Sequence, residues 1–198
     1  MPRIVDHEER RRAIAEAVFG VIGRDGMNSV GLRDVALEAG VSVGAVQHYF
    51  KTKDEMLLFA LAHMRQRALD RFTTRVARLR NPTAKDYLRT VLRVLLPTDE
   101  QSRQEAMVNI SFFASSVNNQ EFQDLLRQGY TNLLAVTEAQ LASAAKAGQL
   151  RPGVDVRDEA AALFYATQGL VGPVLLGVVS GRRAASILDR QLDRLFSQ

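Results

Sequence analysis

The segment from Leu32 to Lys53, LRDVALEAGVSVGAVQHYFKTK, contains residues that fit two different kinds of chemistry. Its Gly40–Gly44 stretch matches G-x-S-x-G, the sharp turn that carries the nucleophile of many serine hydrolases. That turn needs a strand before the serine, whereas the apolar spacing of residues 32–39 predicts a helix. The same enzymes place their catalytic histidine last in the chain, and no histidine follows His63. The match is therefore interpreted as coincidental.

The same segment fits a helix-turn-helix, in which two short helices cross around a tight turn. Gly40 lies where the chain must reverse, because a positive φ is cheap only for glycine. Ala36 is small enough for a close helix crossing, and Val41 and Val46 are predicted to pack the turn and second helix onto the first. Ser42 is a natural N-cap, which leaves the first amides of the second helix facing outward, where they favour phosphate.

The outward side of the second short helix combines small and polar residues, which suits the major groove of DNA. Gln47 can pair with both hydrogen-bonding atoms of an adenine edge, and Val43 can contact a thymine methyl group. Arg33 and Lys53 are placed to contact phosphates at the edges. The predicted DNA-binding residues are Arg33, Ser42, Val43, Gly44, Ala45, Gln47, His48, Tyr49 and Lys53.

Other ionisable residues near this segment are interpreted more simply. The Arg10–Arg12 run, partly balanced by Glu8 and Glu9, is typical of a solvated helix face. His63 is expected to be a partly buried histidine with satisfied hydrogen bonds rather than a metal ligand. Arg3 could reach a DNA phosphate.

Helices are expected almost throughout the chain, because apolar residues recur every three or four positions and strand-like alternation is hard to find. Thr52 and Glu55 have the spacing of a capping box at the start of the fourth helix. A break is expected near Gly172–Pro173 in the eighth helix. The nine predicted helices span about 6–25, 32–39, a segment beginning after residue 42, 52–79, 84–96, 100–116, 119–147, 156–179 and 182–196.

The composition is that of a folded globular protein, with 198 residues of which 46% are hydrophobic and 24% are charged. The absence of cysteine excludes disulfides, thiolate metal sites and cysteine nucleophiles, and it fits a cytoplasmic location. Residues 1–80 contain 14 basic and 10 acidic residues, whereas the remainder contains 12 of each. A basic segment followed by a neutral segment indicates one module that binds a polyanion and a second module with a different function.

One segment is apolar enough to raise the question of a membrane helix. Residues 160–181 contain no charged residue and are long enough to span a bilayer. Pro173, four glycines and several polar residues in this stretch favour a helix buried in a protein core or a subunit interface. No membrane partner is therefore expected, and because the first ten residues contain no apolar leader, no secretory signal is expected either.

Residues from about Ile14 to Leu61 resemble the N-terminal domain of the TetR/AcrR transcriptional regulators. The resemblance implies a three-helix, homeodomain-like helix-turn-helix domain whose recognition helix corresponds to residues 43–49. It also implies a helical domain that binds a ligand and dimerises, and repression that a small molecule relieves. The matching features are the apolar pattern of the first helix, Val35-Ala36, Ala39-Gly40-Val41-Ser42, Gly44, Tyr49-Phe50, Lys53 and Glu55-Met56-Leu57.

Two positions depart from the pattern of that family. Gln47 stands where the family usually has a tyrosine that contacts phosphate, so either Tyr49 makes that contact or Gln47 reads a base. Gly31 stands where a threonine or serine usually caps the second helix, with Ser29 nearby.

Residues 1–53 are expected to form the DNA-binding domain and residues 54–198 the ligand-binding and dimerisation domain, connected by helix four at about 53–80. Helices eight and nine are too apolar to be left exposed, so they are predicted to form a four-helix dimer interface. The alternative is that they belong to the core. The predicted interface residues are Leu170, Val174, Leu188, Leu192 and Leu195.

Aromatic and amide side chains in the second half of the chain are candidates for a ligand pocket, although core packing explains each aromatic residue equally well. The few ionisable residues in helices six and eight favour a neutral or lipophilic ligand. The candidates are Asn109, Phe112, Phe113, Tyr130, Tyr165 and Gln168.

The sequence thus predicts an all-α, homodimeric transcriptional regulator that binds double-stranded, palindromic DNA and responds to an unidentified small molecule. It is expected to need no cofactor and to have no enzymatic activity. The alternative is a helical small-molecule-binding protein or enzyme without a DNA role. No acid–base pair, metal cluster or phosphate-binding loop in the sequence supports that alternative.

Overall fold

The computed structural model describes residues 3–197, with side chains from His7 onward, so the Arg3 side chain lies outside the described residues. The described residues form nine α-helices, a 3-10 turn at Met27–Ser29 and no strand, which confirms the all-α prediction. The α-helices are α1 (Arg3–Asp25), α2 (Leu32–Glu38), α3 (Val43–Tyr49), α4 (Lys53–Ala77), α5 (Ala84–Val94), α6 (Glu100–Ser116), α7 (Gln120–Lys146), α8 (Val156–Leu175) and α9 (Gly181–Leu195).

The chain divides into two compact units. The first contains the described residues up to Arg67 together with Met107–Gln123. The second contains Ala68–Ala106 and the described residues from Asp124 onward. Helices α4, α6 and α7 therefore each contribute residues to both units.

The core of the first unit is built on α1, α2, α3, the first half of α4 and the second half of α6. Its side chains are almost completely removed from water, and burial of each large one stabilises the fold by about 1.5–3 kcal/mol. The largest of them are Phe19, Phe50, Phe112, Met56 and Leu61, with Val18, Val35 and Val46 between the helices.

The core of the second unit is built mainly on α5, α8 and α9, which pack against one another. Val174, Leu188, Leu192 and Leu195 are all buried in this core, and Leu170 packs against it partly buried. These five residues were predicted to form a dimer interface. The structure places the first four inside the protomer, because its own helices cover them, so they are not available to a partner. A dimer interface on α8 and α9 must use the exposed positions of these helices.

Helix α8 is not broken at Pro173, contrary to the prediction, and continues to Leu175. The proline removes one hydrogen bond, and Gly169, whose carbonyl would have accepted it, is exposed to solvent. The helix ends instead at Gly177, which has φ +74°, with the Val178 N–H donating to the Pro173 carbonyl at 2.9 Å. In the described part of the chain, no helix combines the length and apolarity needed to cross a membrane.

Asp99 and Ser102 cap the start of α6 reciprocally. The Asp99 carboxylate accepts the Ser102 N–H at 2.8 Å, and the Ser102 hydroxyl oxygen accepts the Asp99 N–H at 3.0 Å. The hydrogen bond from the Ser102 backbone lowers the pKa of Asp99 below its usual 3.8, against the opposing effect of burial, and nearby Arg71 and Arg75 lower it further.

Replacement of Asp99 by alanine removes this cap, so the free energy of unfolding at pH 7 should fall by about 1 kcal/mol. Because the folded-state pKa is lowered, the carboxylate contributes fully above pH 3.8 and loses its contribution as the pH falls through the folded-state pKa. Urea unfolding of the wild type and D99A, at pH 7 and in steps below pH 4, should therefore give stabilities that converge in acid. A difference that stays constant down to pH 2 would contradict this role.

Candidate nucleic-acid interface

The turn between α2 and α3 is closed by two backbone hydrogen bonds. The Val41 N–H donates to the Ala36 carbonyl at 2.9 Å, and the Gly40 N–H donates to the Leu37 carbonyl at 3.2 Å. Gly40 has φ +65°, the left-handed conformation that this type of helix end requires. The predicted role of Gly40 is confirmed, and α3 begins three residues later.

Ser42 caps α3 as predicted. Its hydroxyl oxygen accepts the Ala45 N–H at 3.1 Å, while its carbonyl accepts the Val46 N–H at 3.2 Å. The N–H groups of Val43 and Gly44 have no acceptor within residues 3–197. The first turn of α3 therefore presents free donors beside an exposed serine.

The two sides of α3 differ in burial as a DNA-reading helix requires. Val46 and Phe50 are fully buried. On the other side, Ser42, Gly44, Gln47 and His48 are exposed, and Val43, Ala45 and Tyr49 are half-buried. Residues three and four positions apart share one side of a helix, so Gly44, Gln47 and His48 lie together on the accessible side.

Two cations lie on the neighbouring helices. Arg33 in the first turn of α2 and Lys53 at the start of α4 are both exposed. Neither has an ion-pair partner within the described part of the chain. Both side chains therefore remain available to a phosphate.

The end of α3 is held in place by Arg11, for which the prediction of a solvated residue is wrong. Its guanidinium carbon lies 5.0 Å from the centre of the Phe50 ring and 4.2 Å from that of Phe59. Its Nε is buried without a hydrogen-bond partner among the described residues, and its Nη1 lies 3.7 Å from Glu8 Oε1, so the ring contacts and this ion pair hold the side chain. A sequence signal existed, because Arg11 lies three and seven positions before the buried Ile14 and Val18.

His7 is a residue of this surface that the sequence analysis missed. Its ring packs edge-to-face against Tyr49 at 4.8 Å, and its centre lies 6.4 Å from that of His48. The cluster places two imidazoles beside the phenol at the end of α3. No sequence pattern points to it, because the residues that it brings together are far apart in the chain.

His63 connects α1 and α4 inside the first unit. A hydrogen bond of 2.8 Å joins its Nε2 to Glu16 Oε1, and its ring lies parallel to those of Phe19 and Phe59. The side chain is 15% exposed, so the prediction of a partly buried, satisfied histidine is confirmed. Arg67 also forms an ion pair with Glu16.

The helix starts around α3 differ in detail from the expected caps. Gly31 caps α2 without a side-chain hydrogen bond, and Ser29 donates instead to the Asp25 carbonyl at 2.9 Å. At α4 the Thr52 hydroxyl accepts the Glu55 N–H at 3.0 Å, as a capping box requires. The Glu55 carboxylate, however, accepts the N–H of Lys51 at 2.8 Å rather than that of Thr52.

The residues predicted to line a ligand pocket occupy different environments. In the first unit, Asn109 is half-buried, Phe112 is buried against Phe122, and Phe113 is 56% exposed. In the second unit, Tyr130 contacts Phe164 edge-to-face at 5.5 Å, Tyr165 is 60% exposed, and Gln168 is half-buried. Phe112 is thus a core residue, while Phe113 and Tyr165 lie at the surface of their units.

Two family models match the chain. Residues 14–61 match the model described as bacterial regulatory proteins of the tetR family. Residues 84–197 match the model described as the C-terminal part of BetI-type transcriptional repressors. The chain belongs to the TetR family of transcriptional regulators. The family resemblance is therefore confirmed, and this TetR-family protein is a DNA-binding regulator rather than an enzyme.

Individual relatives agree with this assignment. The transcriptional regulator PksA of Bacillus subtilis is 32% identical over 183 residues, which cover 90% of this chain and 85% of that protein. The regulator BetI of Brucella abortus is 28% identical over 157 residues, 77% of this chain and 78% of that protein. A transcriptional regulator from Saccharomonospora viridis, solved in complex with choline, superposes with a TM-score of 0.86 at 25% identity, covering 96% of this chain and 100% of that one.

Replacement of Gly40 by alanine should lower the free energy of unfolding by about 1–2 kcal/mol, because an L-residue must adopt the left-handed conformation there. A Cβ at this position would meet no atom within 4 Å, so the cost comes from the backbone alone. Gly44→Ala is the matched control, since its Cβ would meet only the Ser42 hydroxyl at 3.9 Å. Alanine favours a helix, so G44A should be as stable as the wild type or more stable. Equal urea midpoints for G40A and G44A would refute this explanation of the turn.

Proposed function

We propose that this regulator binds a palindromic operator as a homodimer and represses transcription until a small molecule binds. The observation that carries this proposal is the accessible side of α3, where an open first turn, Gln47 and His48 lie opposite two buried anchors. Because Gly44 has no side chain, α3 can approach the floor of a major groove. The surface comprises the residues predicted from the sequence: Arg33, Ser42, Val43, Gly44, Ala45, Gln47, His48, Tyr49 and Lys53.

A dimer follows from how little DNA one short helix can read. Two recognition helices related by a two-fold axis enter successive major grooves about 34 Å apart, which requires a palindromic operator. In this arrangement residues 1–53 form the DNA-binding domain, and residues 54–198 bind the effector and dimerise. The protein acts in the cytoplasm, because the DNA that it binds is located in the cytoplasm.

The dimer interface is proposed for the exposed side of α8. Ala162, Tyr165 and Gly169 are exposed at intervals of three and four residues along α8, and Leu176, which directly follows the helix, is exposed seven positions further on. Leu176 and Val178, two residues apart in the chain, are 81% and 76% exposed, and neighbouring exposed apolar side chains are typical of an interface. Leu170, half-buried, lies beside this row.

The effector site is proposed for the second unit, where the half-buried Tyr130 and Gln168 are the candidate residues that the proposed dimer interface does not use. The structural relative in complex with choline supports a small-molecule effector in this family. Aromatic rings bind quaternary ammonium groups through cation–π contacts. Choline is therefore the first probe for release of bound DNA.

Operator binding is tested by selecting bound fragments from genomic DNA and titrating the recovered sequence by fluorescence anisotropy at several salt concentrations. We expect a two-fold symmetric site that is preferred over scrambled DNA by a factor of at least 10³. If no sequence-specific complex forms at any salt concentration, the proposal fails.

The contacts at Gln47 and Lys53 should respond differently to mutation. Lys53→Ala should weaken binding to all sequences alike and reduce the slope of log affinity against log salt by about one. Gln47→Ala should instead relax the preference at one base pair by about 1–3 kcal/mol, with the salt slope unchanged. Arg194→Ala, an exposed arginine in the last turn of α9, serves as the charge control. If Q47A behaves like K53A, then Gln47 contacts the DNA backbone and does not read a base.

A further inference from the structure

A cavity of about 610 Å³ in the second unit has a lining rich in arginine. Arg75 comes from the last turn of α4, Arg93 from the end of α5, and Arg182 from the first turn of α9. Asp189 is the only carboxylate among the lining residues in the described part of the chain. Three cations from three separate helices thus surround one space.

The positive charge of this cavity is only partly compensated. Asp189 forms an ion pair with Arg93 and a second one with Arg89 Nε at 3.3 Å. Arg75 lies 3.9 Å from Asp99, which is a loose ion pair. Arg182 has no ion-pair or hydrogen-bond partner within residues 3–197. An anion in the cavity could therefore bind the free guanidinium group of Arg182 and the weakly paired guanidinium group of Arg75.

Neutral donors line the same space. Thr98, Ser180 and Ser186 are among the lining residues, and the Ser180 and Ser186 hydroxyl oxygens accept hydrogen bonds from the Arg183 N–H and the Arg190 guanidinium. Gly181 allows α9 to start close to the Thr98 backbone, since a Cβ there would lie only 3.0 Å from Thr98 Cγ2. The open amides at the start of α9 add a smaller positive potential to that of the arginines.

We propose that this cavity binds a small anion with at least two negative charges, carried by phosphate or carboxylate groups. Guanidinium groups match the planar geometry of such oxyanions and bind them through paired hydrogen bonds. The volume lies within the range of small-molecule sites, about 300–1,000 Å³. The cavity disfavours cations such as choline, so it is a second site, separate from the aromatic candidates for the effector.

Binding at this site has a route to the DNA-binding surface along one helix. Arg75 lies in the last turn of α4, and the first residue of α4 is Lys53. An anion that draws Arg75 towards Arg93 and Arg182 restrains the far end of the helix that begins directly after the helix-turn-helix. This regulatory consequence rests on the proposed function, whereas anion binding itself does not.

The test uses isothermal titration calorimetry of the full chain with pyrophosphate and with citrate, at constant ionic strength and neutral pH. We expect one of the two probes to bind once per chain, and the better binder identifies the phosphate or the carboxylate form. Arg182→Gln and Arg75→Gln should each weaken binding of that probe at least tenfold. Arg194→Gln, an exposed arginine about 18 Å further along α9, should leave the affinity unchanged.

A phosphate probe could also bind at the DNA-binding surface, so Lys53→Ala is titrated in parallel. The cavity proposal requires K53A to bind the anion as the wild type does. It is overturned if neither probe binds, if R182Q and R75Q bind like the wild type, or if K53A loses the site. Circular dichroism and thermal melting check that each variant is folded. No DNA is present, so failure of this titration and failure of operator binding are separate results.

Discussion

Helix α3 is too short to be stable by itself, and the DNA-binding surface depends on this constraint. A helix of seven residues is far below the length at which isolated helices persist in water. Its position is set from outside, by burial of Val46 and Phe50, by the Ser42 cap and by the turn at Gly40. The residues proposed to contact DNA can be small and polar, because the buried anchors, the cap and the turn stabilise the helix.

The anchors of α3 are shared with α1 and α4. Phe50 ends α3 and packs in the core, while Arg11 of α1 covers both the Phe50 ring and the Phe59 ring of α4. Further along the same two helices, Glu16 bonds to His63 and Arg67. Helix α3 is therefore held in place by α1 and α4, and α4 continues into the second unit.

In the second unit, the same helices contact one another through apolar side chains in the core and through charged side chains at the margin of that core. Helices α5, α8 and α9 share a core of leucine and alanine side chains. At the margin of this core, arginines of α5 pair with Asp189 and Asp193 of α9. Arginines exceed the carboxylates at the start of α9, and the basic cavity lies there. The apolar core fixes the helices, and the unequal charges around it are the basis of the proposed anion site.

Local features of this protein were determined by the sequence itself. The helices apart from the end of α8, the left-handed residue at Gly40 and the cap at Ser42 depend on residues within four or five positions of one another, and these were predicted correctly. Only the tertiary structure determined whether an apolar helix face is covered by the protomer's own helices or left for a partner subunit. Leu188 and Leu192 have the spacing of an interface and of a core alike, and only the packing of α5 and α8 showed that they are core. His7 and Tyr49 meet for the same reason, since contacts between distant residues depend on how the helices pack and leave no periodic signal in the sequence.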